Sequence, residues 1–208
     1  MFTIVRDFKN EIVIEKSRFI CTLKKVKDEA EAQEFIKATK KEYWDATHNC
    51  SAYLIDELAQ RSSDDGEPSG TAGLPMLEVL RKNKLTNTAA VVTRYFGGIK
   101  LGAGGLVRAY TNSVAEAVRG SGIAEKVLVS RFSFTYALND VGKILNILYQ
   151  QQLFTIVDVE YGLRAKIILQ MQDSAQEEAE AWLTEHLNQS IQLERESSEY
   201  IEVPVESL

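Results

Sequence analysis

An apolar stretch that runs straight into a glycine-rich turn and then a helix constrains this chain more than any other feature. Val91, Val92 and Thr93 lead through Arg94, Tyr95 and Phe96 to Gly97, Gly98, Ile99, Lys100, Leu101, Gly102, Ala103, Gly104 and Gly105. Five glycines strip the turn of side chains just where a helix over about residues 104–120 begins. Backbone N–H groups at such a helix start can approach an anion closely. Arg94, Lys100 and Arg108 place cations around it. The spacing fits neither a P-loop nor a dinucleotide fingerprint, and no nucleophile or general base accompanies the run.

Around this turn the first half reads as mixed strand and helix. Residues 11–15 and 18–23 alternate as a bent strand or hairpin, and Asp28 is placed to cap a helix over 29–43. Ala46, His48, Cys50, Ala52 and Leu54 share one face of a strand, residues 60–73 form a polar segment, and a helix is expected over 74–83 before a strand over 88–96. Gly122 supplies a helix stop. The second half has a different rhythm. A strand over 127–137, a helix capped by Asp140, strands over 154–160 and 163–171, a helix over 176–188 and a strand over 191–203 give β-α-β-β-α-β, the ferredoxin-like plan.

Charge breaks at the same place as rhythm. Residues 1–126 hold 19 Lys/Arg against 17 Asp/Glu, a net +2, while residues 127–208 hold 5 against 13, a net −8. Two domains, 1–126 and 127–208, are therefore expected. A nucleic acid would be drawn to a local face of the first and repelled by the second. No apolar run nears the about 18 residues of a membrane span, and the N-terminal stretch lacks a signal-peptide layout. Cys21 and Cys50 both sit in apolar strand patterns and read as reduced thiols. The expected setting is cytoplasmic, and the expected state monomeric.

Other residues have two readings each. Asp64, Asp65 and Glu67, beside Ser69 and Thr71, either solvate a turn, hold Mg²⁺ through oxygen ligands, or pair with Arg94 or Lys100 across a second side of the site. His48 shares a face with Cys50, and a structural histidine is favoured over a Cys–His pair. Arg94 is either a paired structural arginine or a guanidinium presented to phosphate. Tyr43, Trp44, Tyr53, Tyr95 and Phe96 are the candidates for base stacking near the basic residues Lys16, Arg18, Lys24, Lys25 and Lys27.

The run GLPMLEVLRKNKLTNTAAVVTRYFGGIKLG (73–102), with EKSRFI (15–20), ATHNCSAY (46–53), SDDGEPSGTAG (63–73) and GAGGLVRAY (102–110), resembles the signature of the IMPACT (YigZ-type) family. The resemblance implies an α+β chain whose first domain has the left-handed β-α-β unit of a small-subunit ribosomal protein, GHMP kinases and elongation factor G domain IV. The second domain would be ferredoxin-like. Eukaryotic relatives restrain the kinase that senses uncharged tRNA by competing for its ribosome-associated activator. They carry an additional RWD domain that this chain lacks, so that partner is not carried over, and the family brings no catalytic residues. The leading expectation is a non-enzymatic, translation-linked regulator that needs no cofactor. It would bind the ribosome, RNA or a ribosome-associated protein through Arg94, Gly97, Gly98, Lys100, Gly102, Gly104, Gly105 and Arg108. Its alternatives are an enzyme or sensor for a phosphorylated small molecule with Mg²⁺, and an interaction module without a ligand site.

Overall fold

The computed structural model describes residues 1–205. It divides into two compact units, Met1–Lys126 joined by residues 202–205, and Val127–Ile201. Among the described residues, no helix is long and apolar enough to cross a membrane.

The first unit is built on a five-stranded sheet in the order β2-β3-β6-β4-β5, from strands Phe8–Ile14 (β2), Ser17–Lys25 (β3), His48–Leu54 (β4), Gln60–Ser63 (β5) and Thr88–Tyr95 (β6). Every neighbouring pair is antiparallel. A short first strand, Phe2–Ile4 (β1), pairs with the first residues of β7 (Ile123–Tyr136). The β2–β3 hairpin closes through Glu15 and Lys16, both at positive φ, which gives the tight turn the twist its strands require. Neither β1 nor β5 is visible as a strand in the sequence pattern; each is short and owes its conformation to a partner strand.

Side-chain alternation divides this sheet into two packed faces. On one, Tyr53 and Ala89 meet Ala32, Phe35 and Ile36 of helix α1 (Glu29–Glu42). Asp28 caps α1 as its spacing predicts, its Oδ1 accepting from the Glu31 N–H at 2.9 Å. On the other face, Phe19, Cys21, Cys50, Ala52, Ala90 and Val92 are covered by helices α2 (Gly73–Lys82) and α3 (Gly102–Ser121). Met76, Leu80, Tyr110 and Val114 are sealed from water there, and Tyr110 meets Phe19 edge-on at 5.3 Å. Each fully buried large side chain of this kind contributes about 1.5–3 kcal/mol. The period of two then carries His48 and Arg94 onto the same face, one step beyond the apolar core. They are direct cross-strand partners.

The second unit follows the β-α-β-β-α-β order: β7 from Val127, α4 (Val141–Leu148), β8 (Thr155–Tyr161), β9 (Ala165–Gln172), α5 (Gln176–Leu187) and β10 (Glu194–Val205) as far as Ile201. Its strand order β10-β7-β9-β8 is that of a ferredoxin-like sheet. Phe132, Phe134, Ile167, Leu169 and Met171 face Ile144, Leu148, Ala179 and Leu183 of the helices. One expectation fails locally. Asp140 makes no capping bond to α4 and instead lies 3.5 Å from Lys143, because a single 3₁₀ turn precedes the helix and leaves Asp140 in a helical rather than an extended backbone conformation.

Candidate functional site

The apolar face of the first unit ends in a buried polar cluster. Arg94 Nη1 donates to Glu67 Oε1 at 2.6 Å, and the Tyr110 hydroxyl donates to the same oxygen at 2.8 Å. The Arg94 guanidinium also stacks over Phe19 and Phe96, 5.4 and 5.6 Å from their centroids. Its Nε has no acceptor among the described residues. His48 Nδ1 lies 2.8 Å from the Asp65 carbonyl, so this nitrogen is the donor and Nε2 is left facing Glu67 Oε2 at 3.8 Å. Cys50 donates to the Asp64 carbonyl and lies 3.3 Å from the Tyr110 oxygen. Burial raises the Cys50 thiol to about 12 and pushes the Tyr110 hydroxyl above its ordinary value too, so neither is ionised near neutrality. Cys50 makes no hydrogen bond to His48, and both cysteines are free. No thiolate nucleophile is built here.

Above this cluster lies a cleft of about 300 Å³ lined by Thr47, His48, Glu67, Pro68, Arg94, Phe96, Lys100 and the first turn of α3. The residue before that turn, Leu101, provides no side-chain cap, so the leading amides of α3 keep their donors. Gly98 and Gly102 sit at positive φ, which lets the backbone reverse into the helix. At Gly104 an added Cβ would meet nothing within 4 Å. Lys100 is exposed, and no carboxylate among the described residues lies within ion-pair reach of it. With Arg94 cancelled by Glu67, the uncompensated positive character of the cleft comes from Lys100 and the helix start.

Several expected ligands serve the walls instead. Arg94 is a paired structural arginine, not a guanidinium presented outward. Gly97 is a packing glycine: a Cβ there would sit 2.0 Å from the Lys16 carbonyl carbon, and its N–H donates to Ser17 Oγ at 3.1 Å. Arg108 is exposed on α3 and does not line the cleft, and Gly105 lies half-buried against the Leu101 Cβ. Ser69 is an exposed loop residue, while the Thr71 hydroxyl donates to the Pro68 carbonyl at 2.6 Å. His48, Glu67, Lys100 and Gly102 are brought together as expected neighbours of one cleft.

The three loop carboxylates diverge. Asp64 accepts from the N–H groups of Gly70, Ala72 and Gly73 at 2.8, 3.0 and 2.8 Å, fixing the loop to the start of α2. Burial opposes ionisation of Asp64, but these three donors outweigh it and hold the carboxyl below its ordinary range. Asp65 accepts from the Asn49 N–H at 2.6 Å and pairs with Lys40. Glu67 is committed as described. Oxygens spent on three separate partners do not fit the shared Mg²⁺ site weighed above, and among the described residues no group of three or more His, Cys, Asp or Glu is arranged to hold a metal.

Tyr110 and Thr47 belong to the site without having been singled out in the sequence. Thr47 lines the cleft, and its Oγ1 accepts from the Phe96 N–H at 3.0 Å. The signal for Tyr110 was present: it recurs with Leu106 and Val114 at helical spacing, and a phenol in an apolar stripe needs a buried acceptor.

Comparison with known proteins agrees with this architecture. Residues 15–118 match the Impact N-terminal domain, and residues 134–190 match a domain of unknown function, DUF1949. IMPACT family member YvyE of Bacillus subtilis is 47% identical over 206 residues, covering 98% of this chain and 94% of that relative. IMPACT family member YigZ of Escherichia coli is 38% identical over 152 residues, covering 66% of this chain and 74% of YigZ. A crystal structure of a hypothetical protein superposes with a TM-score of 0.59 at 30% identity, covering 94% of this chain and 97% of that one.

Proposed function

The chain belongs to the IMPACT family, and from that premise we propose that it is a translation-linked regulatory protein that grips a phosphate of structured RNA in the cleft at the start of α3. The translation link rests on family membership. The RNA reading rests on one observation: uncapped amides of α3, a free Lys100 and the exposed ring of Phe96 line the same cleft. Amides and an ammonium group receive a phosphate, and an aromatic ring beside them receives a base. Of the neighbouring carboxylates, Glu67 is neutralised by Arg94 and Asp65 by Lys40, and Asp64, whose charge is held by backbone donors alone, does not line the cleft. The cleft, about 300 Å³, is large enough for one phosphate with its flanking group.

Co-sedimentation with ribosomes tests the proposal. The protein is expected to travel with ribosomal particles at low salt and to leave them steeply as salt rises, and Lys100→Glu is expected to abolish the association. A protein that stays at the top of the gradient in low salt overturns it. Stabilisation by a phosphorylated small molecule under those conditions would then favour the sensor or enzyme reading.

A further inference from the structure

Two large aromatic side chains that no core covers stand on neighbouring turns at one end of the first unit's sheet. Trp44, just beyond α1, is 82% exposed, and Phe96, just beyond β6, is 48% exposed. The turns carrying them are tied at three points. The Thr47 N–H donates to the Arg94 carbonyl at 2.9 Å, the Phe96 N–H to Thr47 Oγ1 at 3.0 Å, and the Tyr95 hydroxyl to Asp45 at 2.9 Å. Such bracing holds both rings on a fixed backbone, so little conformational freedom remains to be lost when something stacks on them.

Two cations at the same end are already neutralised: the Lys9 ammonium, 4.7 Å from the Tyr43 centroid, pairs with Glu42, and the Arg18 guanidinium, 5.4 Å from that of Tyr95, pairs with Glu11. Asp45 accepts from Tyr95, and in the β2–β3 turn against Gly97 the exposed Glu15 and Lys16 have no ion-pair partner among the described residues and offset one another. Phe96 also lines the cleft with Lys100. Exposed aromatic faces beside a cleft that carries an unpaired ammonium are the components of a single-strand binding track, because every base has a face to stack whereas a duplex hides them.

We infer that a single RNA strand lies across this end of the sheet, its bases stacked on Trp44 and Phe96 while one of its phosphates occupies the cleft beside Lys100. The inference deepens the RNA reading above and rests on it.

Titration of the full chain with a labelled oligouridine at low salt tests it. Trp44→Ala and Phe96→Ala are each expected to weaken binding by roughly five- to a hundredfold, with a retained cooperative melting transition as the folding control, since Phe96→Ala also removes a ring that Arg94 stacks on. Trp44→Phe is expected to retain binding. Tryptophan emission of the natural chain should be quenched on titration, and that quenching should be lost in Trp44→Phe, where Trp182 still reports. If Lys100→Ala weakens binding and neither alanine variant does, stacking is overturned while the phosphate cleft stands. Tight binding of duplex RNA with none of oligouridine likewise removes only the stacking track. Failure to bind either RNA overturns both.

Discussion

Arg94 Nη1 and Glu67 Oε1 lie 2.6 Å apart beneath the cleft, with side chains only 6% and 3% exposed. A buried pair of this kind is costly to break from one side, because the partner left behind is an uncompensated charge. Glu67→Ala strands both Arg94 and the Tyr110 hydroxyl and is expected to cost about 3–5 kcal/mol. Arg94→Ala should cost a similar amount. The double variant should be far less destabilised than the two losses added together, since neither charge is then left alone. Chemical denaturation of the four proteins measures this directly, and additive losses would mean the two groups are not coupled.

Asp64 links the stability of the loop to pH. Its native carboxyl is held below the ordinary range by three backbone donors, so its contribution is fully present above the unfolded value and disappears as pH falls through the depressed native one. Asp64→Asn offers only one oxygen to the same three N–H groups. It is expected to lose about 1.5–3 kcal/mol near neutrality and to show a shallower acid limb than the natural chain. Melting temperatures across the acid range provide the comparison, and parallel acid limbs would refute the linkage.

Two glycines of the turn should respond in opposite directions. Gly97→Ala drives a Cβ to within 2.0 Å of backbone at Lys16, which cannot yield as a side chain can, and is expected to cost about 3 kcal/mol or more. Gly104→Ala meets open space in a helix and should stabilise the fold by about 0.5–1 kcal/mol. Equal effects in thermal unfolding would contradict this division of labour.

Lys100 has no structural partner to lose. Lys100→Ala should leave stability within about 0.5 kcal/mol while reducing the slope of log affinity for RNA against log salt by about 1. A destabilised variant, or an unchanged slope, would remove Lys100 from the cleft's chemistry.

Burial raises both thiols above their ordinary value, Cys21 more strongly than Cys50. The native chain is therefore expected to resist a thiol-reactive disulfide reagent near neutrality, and both cysteines should react after denaturation. Rapid native labelling of Cys50 would show that the polar cluster opens to solvent.

The local elements were legible because their causes are local. Alternation marks β4, an apolar run marks β6, Asp28 marks the start of α1, and the second half's rhythm spells the ferredoxin-like order. Asp140 shows the limit: the residue type suits a cap, but its side chain makes no capping bond where the backbone enters through a 3₁₀ turn.

By itself, then, the sequence determined the family, the α+β layout and the face His48 shares with Cys50, since spacing along one strand decides which way each side chain points. That Arg94 lies on the same face was decided by the register. The sequence did not decide that Arg94 would spend its charge on Glu67, that Asp64 would clasp the start of α2, or that Gly97 would yield its space to Lys16. Those outcomes depend on which distant segments the sheet register brings within hydrogen-bond range. Once the pairings are made, they leave Lys100 and the bare amides of α3 as the unspent groups.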